Sequence, residues 1–287
     1  MSVINLNSVS KSIDGNLLLS PTTLQIEKGD FFALVGGRDS GKSVVLDILM
    51  NFLRPTGGTA EIWDTPCTRL TSAMKKKIGY CPKEPDFRRS MRVGDILRMC
   101  AKIRGVKNTP KIKELCTTLS LNTRQRIYKT AASEKKKLGI IIAMLHSPEL
   151  ILLDCPFFGL DRKAKHQLKE LLIKLHNEGV TILMTHDSAA EAEEICSRIA
   201  TIHHGSLLDV NESDMLLKSV TRHISIKTED DISALLTLFK INDVTEKKGY
   251  ISFTYKNDIN DLIRALTSYK IEDLQISLPE LEDVILD

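Results

Sequence analysis

The sequence predicts an α/β fold followed by a small α+β domain, and three observations support this. Three short apolar runs, FFALV at 31–35, ILLD at 151–154 and TILMTH at 181–186, have the pattern of buried parallel strands. Each run leads into glycine-rich or polar residues, and the carboxyl ends of parallel strands are where such folds bind ligands. After Gly205 the pattern changes to short strands that alternate with short amphipathic helices.

The first strand leads directly into GGRDSGKS, residues 36–43, and then into VVLDILMNFL, whose apolar spacing predicts a helix. The segment matches G-x-x-x-x-G-K-[ST] in full, in the strand–loop–helix context that identifies a phosphate-binding P-loop. The glycines let backbone N–H groups face phosphates, and the helix amino terminus adds partial positive charge. The predicted nucleotide-binding residues are Gly36, Gly37, Arg38, Asp39, Ser40, Gly41, Lys42, Ser43 and Val44.

Within this loop, Lys42 is predicted to reach the β- and γ-phosphates and Ser43 to bind Mg²⁺. Asp154, at the end of the second strand, supplies a matching metal carboxylate. Arg38 and Asp39 fill positions that are usually small or polar. Asp39 would repel phosphates, and Arg38 would pair either with Asp39 or with the nucleotide.

Further segments follow in order: IGYCPKEP at 78–85, ILLDCPFFGLD at 151–161, TILMTHD at 181–187 and AEAEEICSRIATIHHGSLL at 190–208. In that order they resemble the Q-loop, the Walker B motif with the D-loop, the switch-histidine segment and the closing segment of ABC-type ATPases. Together with the P-loop, the resemblance covers roughly residues 3–220. The resemblance implies a P-loop NTPase of the ABC ATPase type with a helical signature subdomain. It also implies ATP and Mg²⁺ as cofactors, and two ATPase domains that sandwich each ATP.

The sequence is most similar to exporter ATPases of the antimicrobial-peptide and sodium type, which end in a phrase resembling PELEDVILD at 279–287. Lys42, Ser43, Asp154, Asp161 and His186 are retained. Three positions depart from the pattern that the resemblance implies. Cys155 replaces the general-base glutamate and Lys83 replaces the Q-loop glutamine. TAASE, at 130–134, replaces LSGGQ. A carboxylate base contributes roughly 10²–10⁴ in rate. The sequence therefore predicts MgATP binding with weak or absent hydrolysis.

Three altered or retained positions carry their own interpretations. Cys155 is interpreted as a small buried residue rather than a redox sensor. Lys83 either reaches the γ-phosphate or lies in a surface loop facing the transporter. His186 is predicted to contact the γ-phosphate, because it ends an apolar strand beside the P-loop.

The tail predicts a domain of its own, with residues 1–220 forming the ATP-binding domain and 221–287 an accessory domain. HISIKT, DDISALLTLFK, DVTEKKGYISFTYK, NDINDLIRALTSYK and DLQISLP predict the order β-α-β-β-α-β, with a hairpin turn near residues 248–249. This is the order of a ferredoxin-like α+β fold. It holds no cluster of catalytic residue types, which indicates a dimerisation, regulatory or interaction module.

Composition limits the remaining possibilities. A net charge of +3 among 287 residues does not favour a nucleic-acid partner, and the lysine triplets at 75–77 and 135–137 are interpreted as solvated helix faces. No apolar run is long enough to span a bilayer, no signal peptide is evident, and six scattered cysteines fit a reducing cytosol.

We therefore expect a cytoplasmic protein, peripheral on the inner face of the cell membrane. Its expected partners are a membrane-spanning transporter subunit on a separate chain and a second ATP-binding subunit, in a homo- or heterodimer. The alternative is a catalytically silent scaffold or sensor that responds to ATP and regulates a partner protein.

Overall fold

The computed structural model describes residues 2–106, 109–212, 222–228, 230–239, 241, 244–247, 249–255 and 259–277. It contains two compact units, Met1–Val210 and Asn211–Asp287. The predicted domain boundary at 220–221 and the PELEDVILD phrase lie outside the described residues, as does Lys248 of the predicted hairpin turn. No helix among the described residues is long and apolar enough to cross a membrane.

The first unit alternates strands and helices. Its strands are β1 (Ser2–Ile13), β2 (Asn16–Glu27), β3 (Phe31–Val35), β4 (Gly57–Ile62), β5 (Thr65–Pro66), β6 (Ile78–Cys81), β7 (Leu150–Leu153), β8 (Thr181–His186), β9 (Arg198–His203) and β10 (Ser206–Glu212). Its helices are α1 (Lys42–Leu49), α2 (Ser72–Lys75), α3 (Val93–Arg104), α4 (Thr109–Thr118), α5 (Ala132–Met144), α6 (Arg162–Asn177) and α7 (Ala189–Glu193). Short 3₁₀ turns lie at Cys67–Arg69 and Ile127–Lys129.

The central sheet has six strands in the order β10-β9-β3-β8-β7-β6, and the pairs from β9 to β6 are parallel. Every residue of β3, β7 and β8 is buried, as expected for strands covered on both faces. The predicted α/β fold is confirmed. Because these strands run in one direction, their carboxyl ends meet at one edge of the sheet, which positions the candidate site.

An antiparallel sheet in the order β2-β1-β4-β5 packs through a shared core with the central sheet. Val3, Ile4, Leu6 and Val9 of β1 enter this core, whereas the residues between them face outward. The helices α3, α4 and α5 lie between β6 and β7 in the chain. The resemblance implied a helical signature subdomain, and α5 begins within residues 130–134, where the signature segment was aligned.

The second unit contains β11 (Arg222–Thr228), α8 (Ser233–Leu238), β12 (Val244–Lys247), β13 (Tyr250–Tyr255), α9 (Ile259–Leu266) and β14 (Ile271–Ser277). The observed order is β-α-β-β-α-β, as predicted. The strands form an antiparallel sheet in the order β12-β13-β11-β14. Strands of the first half, β11-α8-β12, therefore alternate with strands of the second half, β13-α9-β14. Its core includes Ile224, Ile226, Phe253, Tyr255 and Leu262.

Candidate nucleotide-binding site

The P-loop, Asp154 and Asp187 meet at the carboxyl edge of the central sheet, because they follow β3, β7 and β8. A cleft of about 380 Å³ opens beside the loop. It is lined by Leu18, Arg38, Asp39, Ser40, Gly41, Lys42, Ser43, Val44, Lys83 and Glu84. The structure thus gathers most of the loop residues predicted from the sequence, together with Lys83, around one cleft.

Close packing shapes the loop backbone. A Cβ at Gly36 would lie 2.2 Å from the carbonyl oxygen of Ile202, and one at Gly41 would lie 2.6 Å from that of Leu18. Gly41 also has φ +97°, in the left-handed region that favours glycine. Any side chain at these two positions would push the loop away from β2 and β9, so the loop geometry requires both glycines.

Lys42 begins α1 and points back under the loop. Its Nζ donates hydrogen bonds of 2.6 Å to the carbonyl oxygens of Gly36 and Gly37. It also lies 2.8 Å from Oδ1 of Asp187, and only 5% of its side chain is exposed. The structure therefore places a buried cation where a P-loop lysine would meet a triphosphate. Gly36 and Gly37 contribute to the site through these carbonyl groups.

Ser43 and Asp154 are brought together at the floor of the site. The Ser43 hydroxyl donates to Oδ1 of Asp154 at 3.1 Å, and the Thr185 hydroxyl donates to the same oxygen at 2.6 Å. Asp154 is only 6% exposed, and these two hydrogen bonds hold its carboxylate in place. A hydroxyl and a carboxylate at this spacing are oxygen ligands of the kind Mg²⁺ prefers.

Cys155 occupies a buried position beside this pair, at 4% exposure and with φ +41°. Its N–H donates to the Thr185 hydroxyl at 2.8 Å, and its Sγ lies 3.4 Å from that hydroxyl and 3.7 Å from Oδ1 of Asp187. Burial raises the pKa of the Cys155 thiol, and the bond to Thr185 only partly opposes this. A protonated thiol between a hydroxyl and a carboxylate is a poor proton acceptor.

His186 ends β8 and lines a neighbouring cleft of about 290 Å³ with Cys155, Phe157 and Asp187. Its Nδ1 accepts a hydrogen bond from the N–H of Ser188 at 2.9 Å, so the neutral ring carries its proton on Nε2. Burial lowers the pKa of His186, which favours that neutral form. The ring can therefore donate one hydrogen bond, and the predicted contact to a γ-phosphate stays a prediction.

The exposed charges at the rim are loosely held. Arg38 Nε lies 4.0 Å from Asp39 Oδ2, and both side chains are more than 90% exposed. This contact is one of the two pairings that the sequence left open for Arg38, and pairing with the nucleotide stays a prediction. The Lys83 ammonium lies 5.0 Å from the centre of the Phe158 ring, at the edge of the P-loop cleft.

The TAASE segment lies at the start of α5 and lines neither cleft described above. The helix begins at Ala132 after Ala131, which makes no side-chain cap. Thr130 donates through its hydroxyl to the carbonyl oxygen of Arg126 at 2.8 Å. Glu134 Oε1 accepts from Lys137 Nζ at 2.7 Å. This ion pair offsets part of the negative charge that the sequence places at the helix start.

Three residues of the site were missed by the sequence analysis. Thr185 links Asp154 to Cys155, and Asp187 contacts Lys42. Lys136 is 2% exposed, and its Nζ donates to the carbonyl oxygens of Pro82, Lys83 and Asp154 at 3.0, 2.9 and 2.7 Å. Burial lowers the pKa of this ammonium.

The solvated face predicted for residues 135–137 is wrong at positions 136 and 137, which are both buried. The sequence feature that could have predicted their burial is the run LGIIIAML that follows them, since a helix that is apolar on all sides is buried on all sides. Asp187 could have been identified as a site residue because, like Asp154, it lies at the carboxyl end of a parallel strand. The triplet at 75–77 is exposed, as predicted.

The residues present fit a nucleoside triphosphate with Mg²⁺. The two glycine positions leave no room for a Cβ, the buried Lys42 supplies positive charge, and Ser43 and Asp154 offer paired oxygen ligands. A metal bound there would neutralise phosphate charge.

Known proteins resemble this chain in sequence and in fold. The ABC transporter family model matches residues 19–158. The ABC transporter ATP-binding protein YhaQ of Bacillus subtilis is 26% identical over 99% of this chain and 98% of its own. The bacitracin transport ATP-binding protein BcrA of Bacillus licheniformis is 25% identical over 98% of this chain and 95% of its own. The linearmycin resistance ATP-binding protein LnrL of Bacillus subtilis is 22% identical over 99% of this chain and 97% of its own.

Solved structures agree at the level of the fold. An ATP-binding subunit of an ABC transporter superposes with a TM-score of 0.67 at 22% identity, covering 75% of this chain and 91% of its own. The dimeric bacterial ABC transporter cassette MJ0796 gives a TM-score of 0.67 at 21% identity, covering 73% of this chain and 98% of its own. The P-loop NTPase fold expected from the sequence is confirmed.

Proposed function

The chain belongs to the family of ABC transporter ATP-binding proteins, and from that premise we propose that it serves an exporter, binds MgATP and hydrolyses it weakly or not at all. ATP with Mg²⁺ is the nucleotide of this family, and its subunits dimerise and pair with membrane-spanning subunits. What is proposed beyond the family is the direction of transport, the catalytic weakness and the residues responsible.

The observation that carries the proposal is the contrast between two neighbouring positions. Asp154 is ionisable, buried and hydrogen-bonded to Ser43, as a metal-binding pair requires. The next residue, Cys155, is a buried thiol whose pKa is raised by that burial. The site therefore keeps the groups that hold a nucleotide and lacks a carboxylate base at the position that follows Asp154.

The chemistry follows from these residues. Lys42 and the loop N–H groups stabilise phosphate charge, and Ser43 with Asp154 would hold the metal, which supplies additional positive charge to the phosphates. Thr185 keeps the Asp154 carboxylate in one orientation. Without a base at Cys155, the proton of an attacking water has no acceptor there, so turnover is expected to be slow.

Export, rather than import, is supported by the relatives. BcrA is named for bacitracin transport and LnrL for linearmycin resistance, and both match nearly the whole of this chain. We propose that this protein likewise acts on the cytoplasmic face of a membrane, bound to a membrane-spanning subunit.

Binding of ATP by the purified protein tests the proposal. Lys42→Ala should lower the affinity for MgATP by more than about tenfold, because it removes the buried cation that faces the phosphates. Isothermal calorimetry measures this directly. Lys169→Ala is the matched control, since Lys169 pairs with Glu194 on the surface and lies in neither cleft. Absence of ATP binding by the unaltered protein, with or without Mg²⁺, would overturn the proposal.

A further inference from the structure

All three N–H donors of the Lys42 ammonium contact oxygen atoms of the protein itself. An ammonium has three N–H donors, and Lys42 directs them to the carbonyl oxygens of Gly36 and Gly37 and to the Asp187 carboxylate. These contacts measure 2.6, 2.6 and 2.8 Å. A phosphate can therefore reach the Lys42 ammonium only by displacing a partner that is already bound.

We propose that Asp187 sets the nucleotide affinity of this site by competing with the phosphates of ATP for Lys42. This inference rests on the proposed function, because it concerns the same nucleotide site. The two carbonyl groups belong to the loop that must surround the phosphates, and they are neutral. Asp187 is the partner that carries a full negative charge, and a phosphate at Lys42 would meet that charge at close range.

The state of Asp187 supports this role. Burial alone would raise the pKa of Asp187, but the hydrogen bond and charge of Lys42, together with smaller contributions from the Lys83 charge and the Cys155 thiol, outweigh it, so that the pKa lies below its ordinary value. Asp187 is thus a carboxylate at neutral pH. Lys42 is the cation in direct contact with its carboxylate in the conformation described here, and a phosphate that took over Lys42 would remove that contact.

The surroundings of Asp187 allow the carboxylate to leave. Its side chain is 48% exposed, whereas that of Lys42 is 5% exposed, so the acid can turn toward solvent while the base stays in place. The backbone on either side is held independently. The Ser188 N–H donates to His186 Nδ1, and the Ser188 hydroxyl accepts from the N–H of Glu191 at the start of α7. Displacement therefore requires a rotamer change of the Asp187 side chain, which also breaks its contact with Cys155 Sγ, 3.7 Å from Oδ1.

The test compares MgATP affinity in the full-length protein and its variants. Asp187→Asn keeps the shape of the side chain and removes the charge, and should tighten MgATP binding about threefold to tenfold. Asp187→Ser provides a second neutral variant with the same expectation. Asp187→Glu keeps the carboxylate and should show no such gain. Glu194→Gln removes one carboxylate from the same segment, where it pairs with Lys169 away from the site.

Three outcomes would decide the matter. Tighter binding by both neutral variants, but not by Asp187→Glu or Glu194→Gln, supports the competition. Equal or weaker binding by both neutral variants overturns it while leaving the proposed function intact. If neither the unaltered protein nor any variant binds ATP, the proposed function fails and this inference fails with it. A thermal unfolding midpoint measured for each variant confirms that the compared proteins are folded.

Discussion

At the scale of single residues, the site is a chain of contacts that runs from Ser43 to Lys42 through four side chains. Ser43 and Thr185 both donate to Asp154, Thr185 contacts Cys155, and Cys155 contacts Asp187, which holds Lys42. Each link is a side-chain contact of 3.7 Å or less. A change at any one of these positions therefore alters the charge or hydrogen bonding of its neighbours.

Cys155→Glu tests whether a missing base is the whole defect. We expect less than about a threefold rise in phosphate release. The new carboxylate would lie near Asp187, whose Oδ1 is 3.7 Å from the present Sγ, and like charges at that range oppose each other. Phosphate release is measured at saturating MgATP. A rise of tenfold or more from this single change would show that the rest of the site is already competent.

Lys136→Met tests one of the three site residues that only the structure shows. The change removes the ammonium that donates to the carbonyl oxygens of Pro82, Lys83 and Asp154, of which the bond to Asp154 is fully buried, so we expect a loss of about 3 kcal/mol in the free energy of unfolding. Urea unfolding followed by circular dichroism measures it. The neighbouring Lys135→Met is the matched control and should change stability by less than about 0.5 kcal/mol. Equal effects of the two changes would contradict the assigned role of Lys136.

At the scale of elements, the start of α5 differs most from the pattern that the family resemblance implies. Ala131 offers no side-chain cap, and Ala132 and Ser133 put side chains where the resemblance expects glycines. In the dimer of the family, this helix start would face the partner's ATP. Glu134 is already paired with Lys137, so its charge is less disruptive there than the sequence alone suggests.

Replacing residues 130–134 by LSGGQ together with Cys155→Glu tests the paired defect. Ser at position 131 would cap the helix, and glycines at 132 and 133 would open its N–H groups to a phosphate. Because a base and a clamp act as a unit, we expect only the combined variant to exceed the unaltered protein by about tenfold or more in phosphate release. The segment replacement alone is the control. Equal rates in the combined variant and the better single variant would sink this account.

At the scale of the whole molecule, the two units divide the chain near residue 210. Each has a hydrophobic core of its own, with Phe32, Leu46 and Leu183 in the first and Ile224, Phe253 and Leu262 in the second. The residues of the two clefts described above all belong to the first unit. That separation supports the proposal that the second unit is an accessory domain.

Truncation after residue 220 tests the independence of the first unit. The shortened protein keeps all of β10, the edge strand of the central sheet, so the sheet stays complete. We expect its affinity for MgATP to remain within about twofold of the full chain, with a single cooperative thermal transition. Truncation after residue 205 removes β10 and is expected to destabilise the sheet. Insolubility or loss of binding in the longer truncation would show that the tail belongs to the first core.

The sequence by itself determined the fold class, the P-loop and the order of elements in the tail, because each depends on local patterns. Continuous apolar runs specified the buried strands, and the glycine spacing specified the loop. Only the tertiary structure decided the partners of the charged groups. Lys136 looked solvent-exposed within a lysine triplet, yet helix packing buries it against three carbonyl groups. Asp187 and Lys42 are far apart in sequence, and only the adjacent, parallel ends of β3 and β8 bring them into contact.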